Sequence, residues 1–217
     1  FWGPHEPYLV PQKYLDRYAD VEIPEWPNYR YDSDNEPGPH RACVNPRHGE
    51  LSWEDWADAI RHYYAFMTLI DEQIGRMMDH LEETGLMDDT LIIFSADHGE
   101  TLGSHGGLMD KGLFHFEEIQ RVPFLVKLPT GDTAAPGSTR GEFVSLVDIY
   151  PTLVEAAGAT PAAETVHGRS LFDLLCGRVR NGVPNDGDSA ADPTRPWRDD
   201  IVVESEGCVG TGISLRT

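Results

Sequence analysis

From Ser52 to Thr84 the apolar residues Trp53, Trp56, Ile60, Tyr63, Met67, Ile70, Ile74, Met77 and Leu81 recur at steps of three and four. That spacing puts them on one stripe of an amphipathic helix, with its Met and aromatic side chains directed to a core. Ser52 with Asp55 forms a capping-box variant at the start, and Gly85 supplies the stop. A turn at Met87-Asp88-Asp89 then leads into Leu91-Ile92-Ile93-Phe94, a short and continuously apolar run. Such a run, rich in β-branched and aromatic residues, is the pattern of a strand buried on both faces of a parallel sheet. A second apolar run, Val122 to Leu128, predicts a neighbouring strand. The class these patterns predict is α/β.

The remaining pattern is more broken. Residues 19 to 50 are rich in Pro, Asn, Asp and Gly and carry no apolar period, which predicts a long surface loop. Thr130 to Arg140 is turn-like. Ser145 to Ala157 predicts a helix closed by Gly158, either kinked at Pro151 or beginning around it. Val179 to Pro196 predicts a flexible loop, and Ile201 to Glu204 and Ile213 to Leu215 are strand-like.

Candidate chemistry gathers where the Leu91 strand stops, at Ser95-Ala96-Asp97-His98-Gly99-Glu100. In open α/β sheets ligands bind at the carboxyl ends of strands, so a carboxylate and an imidazole delivered there form a candidate site. Adjacent Asp97 and His98 suit a divalent cation, although a cap and a loop histidine would read the same way. His105, Lys111 and His115 follow in a glycine-rich loop. At the start of the chain, His5 sits between Pro4 and Pro7, which stiffen the loop that carries it.

The succession DHGE, GSHGG, lysine and RVPFLV resembles the sulfatase family of the alkaline phosphatase superfamily. FWGPHEPY is similar to the family's PHxPY loop, Pro11 to Tyr18 to the short helix after it, SLVDIYPT to its SxxDxxPT segment, and Gly168 to Leu171 to its G-x-S-L stretch. The resemblance implies an alkaline phosphatase-like three-layer sandwich with a mostly parallel central sheet, plus the start of a smaller C-terminal sheet. Residues 1–178 would be the back part of the catalytic domain, and residues 179–217 a flexible loop and the start of the smaller subdomain. The chain reads as an internal fragment, since it opens on Phe1 at the entry to a functional loop.

The resemblance also implies roles. Asp97 and His98 would bind the metal, Ca2+ first, with Mn2+ or Mg2+ as alternatives. Asp97 would take a proton from the nucleophile, Lys111 and His5 would hold the sulfate and stabilise the leaving group, and His105 would be a further sulfate contact. The family nucleophile is a formylglycine made within C-x-P-x-R, expected upstream together with a pair of acidic metal ligands. Cys43-Val44-Asn45-Pro46-Arg47 imitates that signature, but its proline falls one place late and it follows the PHxPY loop, so Cys43 receives no catalytic role. The substrate class is a small-molecule or glycan sulfate ester. Phosphonate monoester hydrolases and phosphodiesterases of the superfamily, and a non-catalytic homologue, are the competing readings.

Charge narrows the partners. The 217 residues carry a formal net charge of -20, spread along the whole chain. Such a surface repels nucleic acids and anionic membranes, and no run is long and apolar enough to span a bilayer. Three cysteines at no metal-like spacing give neither a disulfide framework nor a zinc site. The oligomeric state is not written in the sequence. Localisation depends on residues ahead of Phe1, and would be cytoplasmic in a salt-accumulating halophile. If the acidity is an adaptation to concentrated salt, screening of self-repulsion should raise the thermal midpoint across a salt series. A flat or falling midpoint removes the halophile reading.

Overall fold

The long helix forms where the period of the sequence puts it. In this computed structural model, which describes residues 1–31, 50–112, 114–131, 137–160, 166–175, 197–207 and 210–217, it runs from Trp53 to Glu83. The Ser52 hydroxyl accepts from the Asp55 amide at 3.3 Å, and the Asp55 carboxylate accepts from the Ser52 amide at 2.8 Å. The Ser52 hydroxyl, which donates to the Asp55 carboxylate at 2.6 Å, and then the Ser52 amide hold the Asp55 carboxyl below its usual pKa. At the other end Gly85 turns left-handed with φ of 69°, Gly85 N–H donates to Glu82 and Leu86 N–H to Leu81. This pair of bonds is the Schellman closure, which absorbs carbonyls that the helix itself leaves without donors.

The chain divides into two compact units. The first comprises Phe1–Met87, His98–Pro123 and Ser205–Gly212, and the second Asp88–Asp97, Phe124–Glu204 and Ile213–Thr217. The expected boundary between residues 178 and 179 lies outside the described residues, as do Cys43, Cys176 and Cys208.

In the first unit the short helix α1, Gln12–Leu15, packs on the long helix, α2. Tyr14 donates to Glu72 at 2.7 Å, and Tyr18 shares a 2.6 Å bond with Thr68. The core joins Tyr8, Ile23, Ala57, Ile60 and Leu102, with Trp26, Trp53 and Tyr63 packed against it. Residues 19–31 are therefore more than a surface loop: Ile23 is buried, and the Trp26 indole donates to the Leu102 carbonyl at 3.0 Å. Their apolar side chains are isolated along the sequence, so periodicity gives no sign of them. The α2 stripe is core only in part, because Met67 and Met77 are 40% and 55% exposed. A helix of 31 residues is about 46 Å long and outreaches the elements packed on it.

In the second unit β1, Ile92–Ser95, pairs with β2, Phe124–Lys127, in the register Ile92 to Lys127 through Ser95 to Phe124. This pairing is antiparallel, whereas the apolar run predicted a strand between parallel neighbours. The β1 side chains are half-buried rather than buried on both faces, and β2 is the one strand that pairs with β1 among the described residues. Strands β3, Ile201–Gly207, and β4, Gly210–Arg216, make a second two-stranded sheet, as the strand-like tail predicts.

The helix around Pro151 begins near it rather than kinking. A 3-10 turn, Leu146–Asp148, leads into Ile149–Ala156, so Pro151 falls in the first α-helical turn, where a missing N–H costs little. Asp148 is fully buried and satisfied on every side. Its carboxylate accepts from the amides of Ser145 and Arg169, both at 2.8 Å, and from the Arg198 guanidinium at 2.6 and 3.0 Å. Four donors from three stretches of chain thus converge on one side chain. Among the described residues no helix is long and apolar enough to cross a membrane.

Removing one partner of a buried ion pair leaves the other charge stranded, at a cost of about 3–5 kcal/mol. Asp148→Ala should therefore unfold at markedly lower urea than the unmutated protein. An unchanged midpoint would show that Arg198 and the two amides find other partners.

Candidate active site

The DHGE run is positioned by its neighbours on both sides. Asp97 follows the end of β1 by two residues and is exposed. Beyond it, Gly99 N–H donates to the Ile119 carbonyl at 2.8 Å and Glu100 N–H to the Glu118 carbonyl at 3.2 Å. The backbones approach so closely that a Cβ on Gly99 would lie 1.8 Å from the Glu118 oxygen. Only glycine fits there, which explains its place between the histidine and the glutamate.

The His98 ring fits a metal-ligand role. Its Nδ1 lies 2.8 Å from the Gly99 carbonyl, an atom that can only accept, so Nδ1 carries the proton. In the neutral ring Nε2 then holds the lone pair, the form in which histidine ligates. With the Asp97 carboxylate next in sequence, the donor set of one oxygen and one nitrogen suits a divalent cation.

Glu100 is the residue that sequence reasoning left without a task. Its carboxylate accepts from the amides of Thr101 at 3.0 Å, Leu102 at 3.4 Å and Asp110 at closer range, and from the Tyr8 hydroxyl at 3.4 Å. Thr101 adds a bond from its hydroxyl to the Asp110 carbonyl at 2.9 Å. The loop from Thr101 to Asp110 is closed on itself through these bonds, immediately before Lys111. Burial raises the Glu100 pKa and the Asp110 charge adds to the rise, while the amide donors oppose it. The Tyr8 hydroxyl is also pushed up, by burial first and by the Glu100 charge second.

Two of the sequence-derived residues meet around Asp110. His5, Glu6 and Asp110 each offer a ligand atom, all within 4.8 Å of one another, and the Lys111 ammonium lies 3.6 Å from the Asp110 carboxylate. The His5 Nδ1 donates to the Glu6 carbonyl at 2.9 Å. His105 keeps different company. Its Nε2 lies 3.1 Å from the Glu118 carboxylate, and its ring stacks on Phe116 with centroids 3.7 Å apart and planes at 6°. The backbone of His105 is left-handed, with φ of 52°, so the loop places this ring at some conformational expense. His115 shares a 2.7 Å bond with Ser205.

Glu6, Glu100 and Asp110 are the members of this neighbourhood that the sequence did not single out. The signal for Glu6 was its place beside His5, and for Glu100 its place in DHGE, but neither indicates which atoms of a distant segment it meets.

Comparison with known proteins places the chain in a family. The sulfatase family model matches residues 1–159. An arylsulfatase of Clostridium perfringens is 34% identical over 181 residues, covering 81% of this chain and 36% of that protein. Among solved structures, one determined with its substrate D-glucosamine-2-N,6-O-disulfate superposes with a TM-score of 0.76 at 22% identity, over 99% of this chain and 53% of that one. A phosphonate monoester hydrolase from Silicibacter pomeroyi gives a TM-score of 0.73 at 27% identity, over 94% of this chain and 38% of that one. The chain spans about a third of the length of the curated relatives it matches. The fold is alkaline phosphatase-like, and with the family model matching residues 1–159 of 217, the chain belongs to the sulfatase family.

Proposed function

We propose that this chain is part of a metal-dependent sulfuric ester hydrolase and contributes four side chains to its reaction: Asp97, His98, Lys111 and His5. The observation that carries the reading is the meeting of His5 and Lys111 around Asp110 in a member of the sulfatase family. One cationic group and one imidazole there flank the same carboxylate.

Asp97 and His98 would hold the cation, Ca2+ foremost, with Mn2+ or Mg2+ as the alternatives. When bound, the cation supplies positive charge to ester oxygens, and the formylglycine expected upstream supplies the attacking oxygen. The rest falls to this chain. Asp97 accepts the proton that the attacking hydroxyl must lose. Lys111 and His5 donate to the sulfate oxygens, where negative charge spreads as the bond to the alcohol lengthens. With Nδ1 engaged by Glu6, Nε2 is the His5 nitrogen suited to the ester; His5 acts there as the imidazolium, and the Nε2 proton passes to the departing alkoxide, leaving the ring neutral. Glu100 acts through the lysine by closing the loop before it. His105 serves the site indirectly on this reading, since Glu118 and Phe116 already engage its ring.

A second reading has a specific observation behind it. The phosphonate monoester hydrolase likeness has nearly the TM-score of the sugar disulfate complex and a higher identity. Sulfate and phosphonate esters are alike in shape, so the same four side chains would serve either.

In the full-length protein, Asp97→Asn should weaken metal affinity and turnover together. Lys111→Ala should leave metal titration nearly unchanged while lowering kcat/KM on an aryl sulfate by on the order of 100-fold. Full turnover in Lys111→Ala would remove the lysine from the mechanism, and a strong preference of the unmutated enzyme for an aryl phosphonate would favour the second reading.

The role of Glu100 predicts non-additivity. Glu100→Ala should lower turnover, yet cost little more once Lys111 is already alanine, because one acts through the other. Additive losses in the double-mutant cycle would mean that Glu100 contributes independently of the lysine.

A further inference from the structure

Glu118 sits where three stretches of chain meet. Its carbonyl accepts from the Glu100 amide at 3.2 Å, and the next carbonyl, that of Ile119, accepts from the Gly99 amide at 2.8 Å. Its carboxylate engages other partners. His105 Nε2 lies 3.1 Å from Oε1 and 3.2 Å from Oε2, and the Asn28 side-chain amide donates to Oε1 at 3.2 Å. Asn28 is itself tied to the glycine loop, because its carbonyl accepts from Gly106 N–H at 3.2 Å. One residue thus holds the DHGE backbone with its main chain and the glycine loop with its side chain.

A surface pair between two flexible side chains contributes little, and this pair differs in how its members are held. The His105 ring stacks on Phe116 with centroids 3.7 Å apart and meets Tyr31 edge to face at 5.9 Å. The His105 backbone is left-handed, a conformation that a residue with a Cβ adopts only under constraint. The Glu118 carboxylate is a charged acceptor: partial burial works to raise its pKa, but bonds from its own amide, His105 and Asn28 bring it below the usual value. The hold reaches the proposed metal ligand. Gly99 is fixed at its amide by Ile119, and the carbonyl of the same glycine accepts from His98 Nδ1 at 2.8 Å. A shift of the Glu118–Ile119 backbone would therefore move the group that aims the His98 ring, and a partner one step behind a ligand sets its orientation.

We propose that Glu118, gripped by Asn28 and His105, is a positioning residue for His98 that locks the DHGE backbone to the glycine loop. The inference rests on the sulfatase reading for the cation that His98 would hold. It gives His105 the task of fastening the loop in place of a sulfate contact.

The test is calorimetric titration of the full-length, metal-depleted protein with Mn2+, together with hydrogen exchange at the Gly99 and Glu100 amides. Glu118→Ala should weaken Mn2+ binding by on the order of tenfold and speed exchange at both amides. Glu118→Gln should restore most of the affinity, because its amide oxygen can stand at the Oε1 position and accept from both His105 and Asn28. His105→Asn suits a left-handed backbone but falls short of Glu118; it should weaken binding as well and add little once Glu118 is already alanine. Unchanged affinity in Glu118→Ala, a Glu118→Gln as weak as Glu118→Ala, or additive losses in the double variant overturns the proposal and leaves the metal reading standing. If the unmutated protein binds no Mn2+, the metal reading fails and exchange decides: faster exchange in Glu118→Ala, reversed in Glu118→Gln, upholds the hold on DHGE, and unchanged exchange overturns both. Should Glu118→Ala not fold, Asn28→Ala takes its place, since it removes one donor to the carboxylate and keeps the carbonyl that receives Gly106. Weaker Mn2+ binding with faster exchange in that variant supports the proposal, and no change in either overturns it.

Discussion

A half-buried carboxylate that collects backbone amides holds the glycine loop together. Glu100 accepts from Thr101, Leu102 and Asp110, so the two ends of a ten-residue excursion meet at one side chain. Glycine-rich backbone is expensive to order, and the loop contains left-handed residues at Leu102, His105 and Asp110. Charge-assisted bonds in a desolvated setting are strong enough to offset part of that expense. Without them Lys111 would sit on a loop of many shapes, and a lysine contributes to an ester's transition state only if it waits in position.

The same economy appears in the second unit, where the buried Asp148 gathers Ser145, Arg169 and Arg198. In each case an acidic side chain replaces regular secondary structure as the means of satisfying irregular backbone. Irregular loops of this kind are where functional groups are carried, and both carboxylates fall within motifs by which the sequence resembles sulfatases.

Much of the fold was legible because periodicity reports on local structure. The stripe from Trp53 to Leu81, the Ser52 cap and the glycine stop gave α2 nearly residue for residue. The strand positions were also legible, but not the direction of pairing, since an apolar run says how buried a strand would be and not which way its neighbour runs. Ile23 and Trp26 joined the core without any period to announce them. Of the candidate site, the residue types at Asp97, His98, His5 and Lys111 were visible in motifs. What the sequence could not supply was distance: that Glu6 and Asp110 close around His5 depends on segments about a hundred residues apart. His105 was visible as a further sulfate contact only through the family resemblance of its motif, and the Phe116 and Glu118 side chains around its ring come from a segment the motif does not point to.

The central claim is that one short run, Asp97 to Lys111, delivers a metal pair at its start and a sulfate-holding lysine at its end. A crystal structure of the full-length protein with Mn2+ and inorganic sulfate, read by anomalous scattering, tests it directly. The account predicts Mn2+ bonded to the Asp97 carboxylate and the His98 Nε2, with sulfate oxygens in hydrogen-bond contact with Lys111 Nζ and His5 Nε2. Manganese bound away from Asp97 and His98, or sulfate bound at the site with neither Lys111 nor His5 in contact, would contradict it.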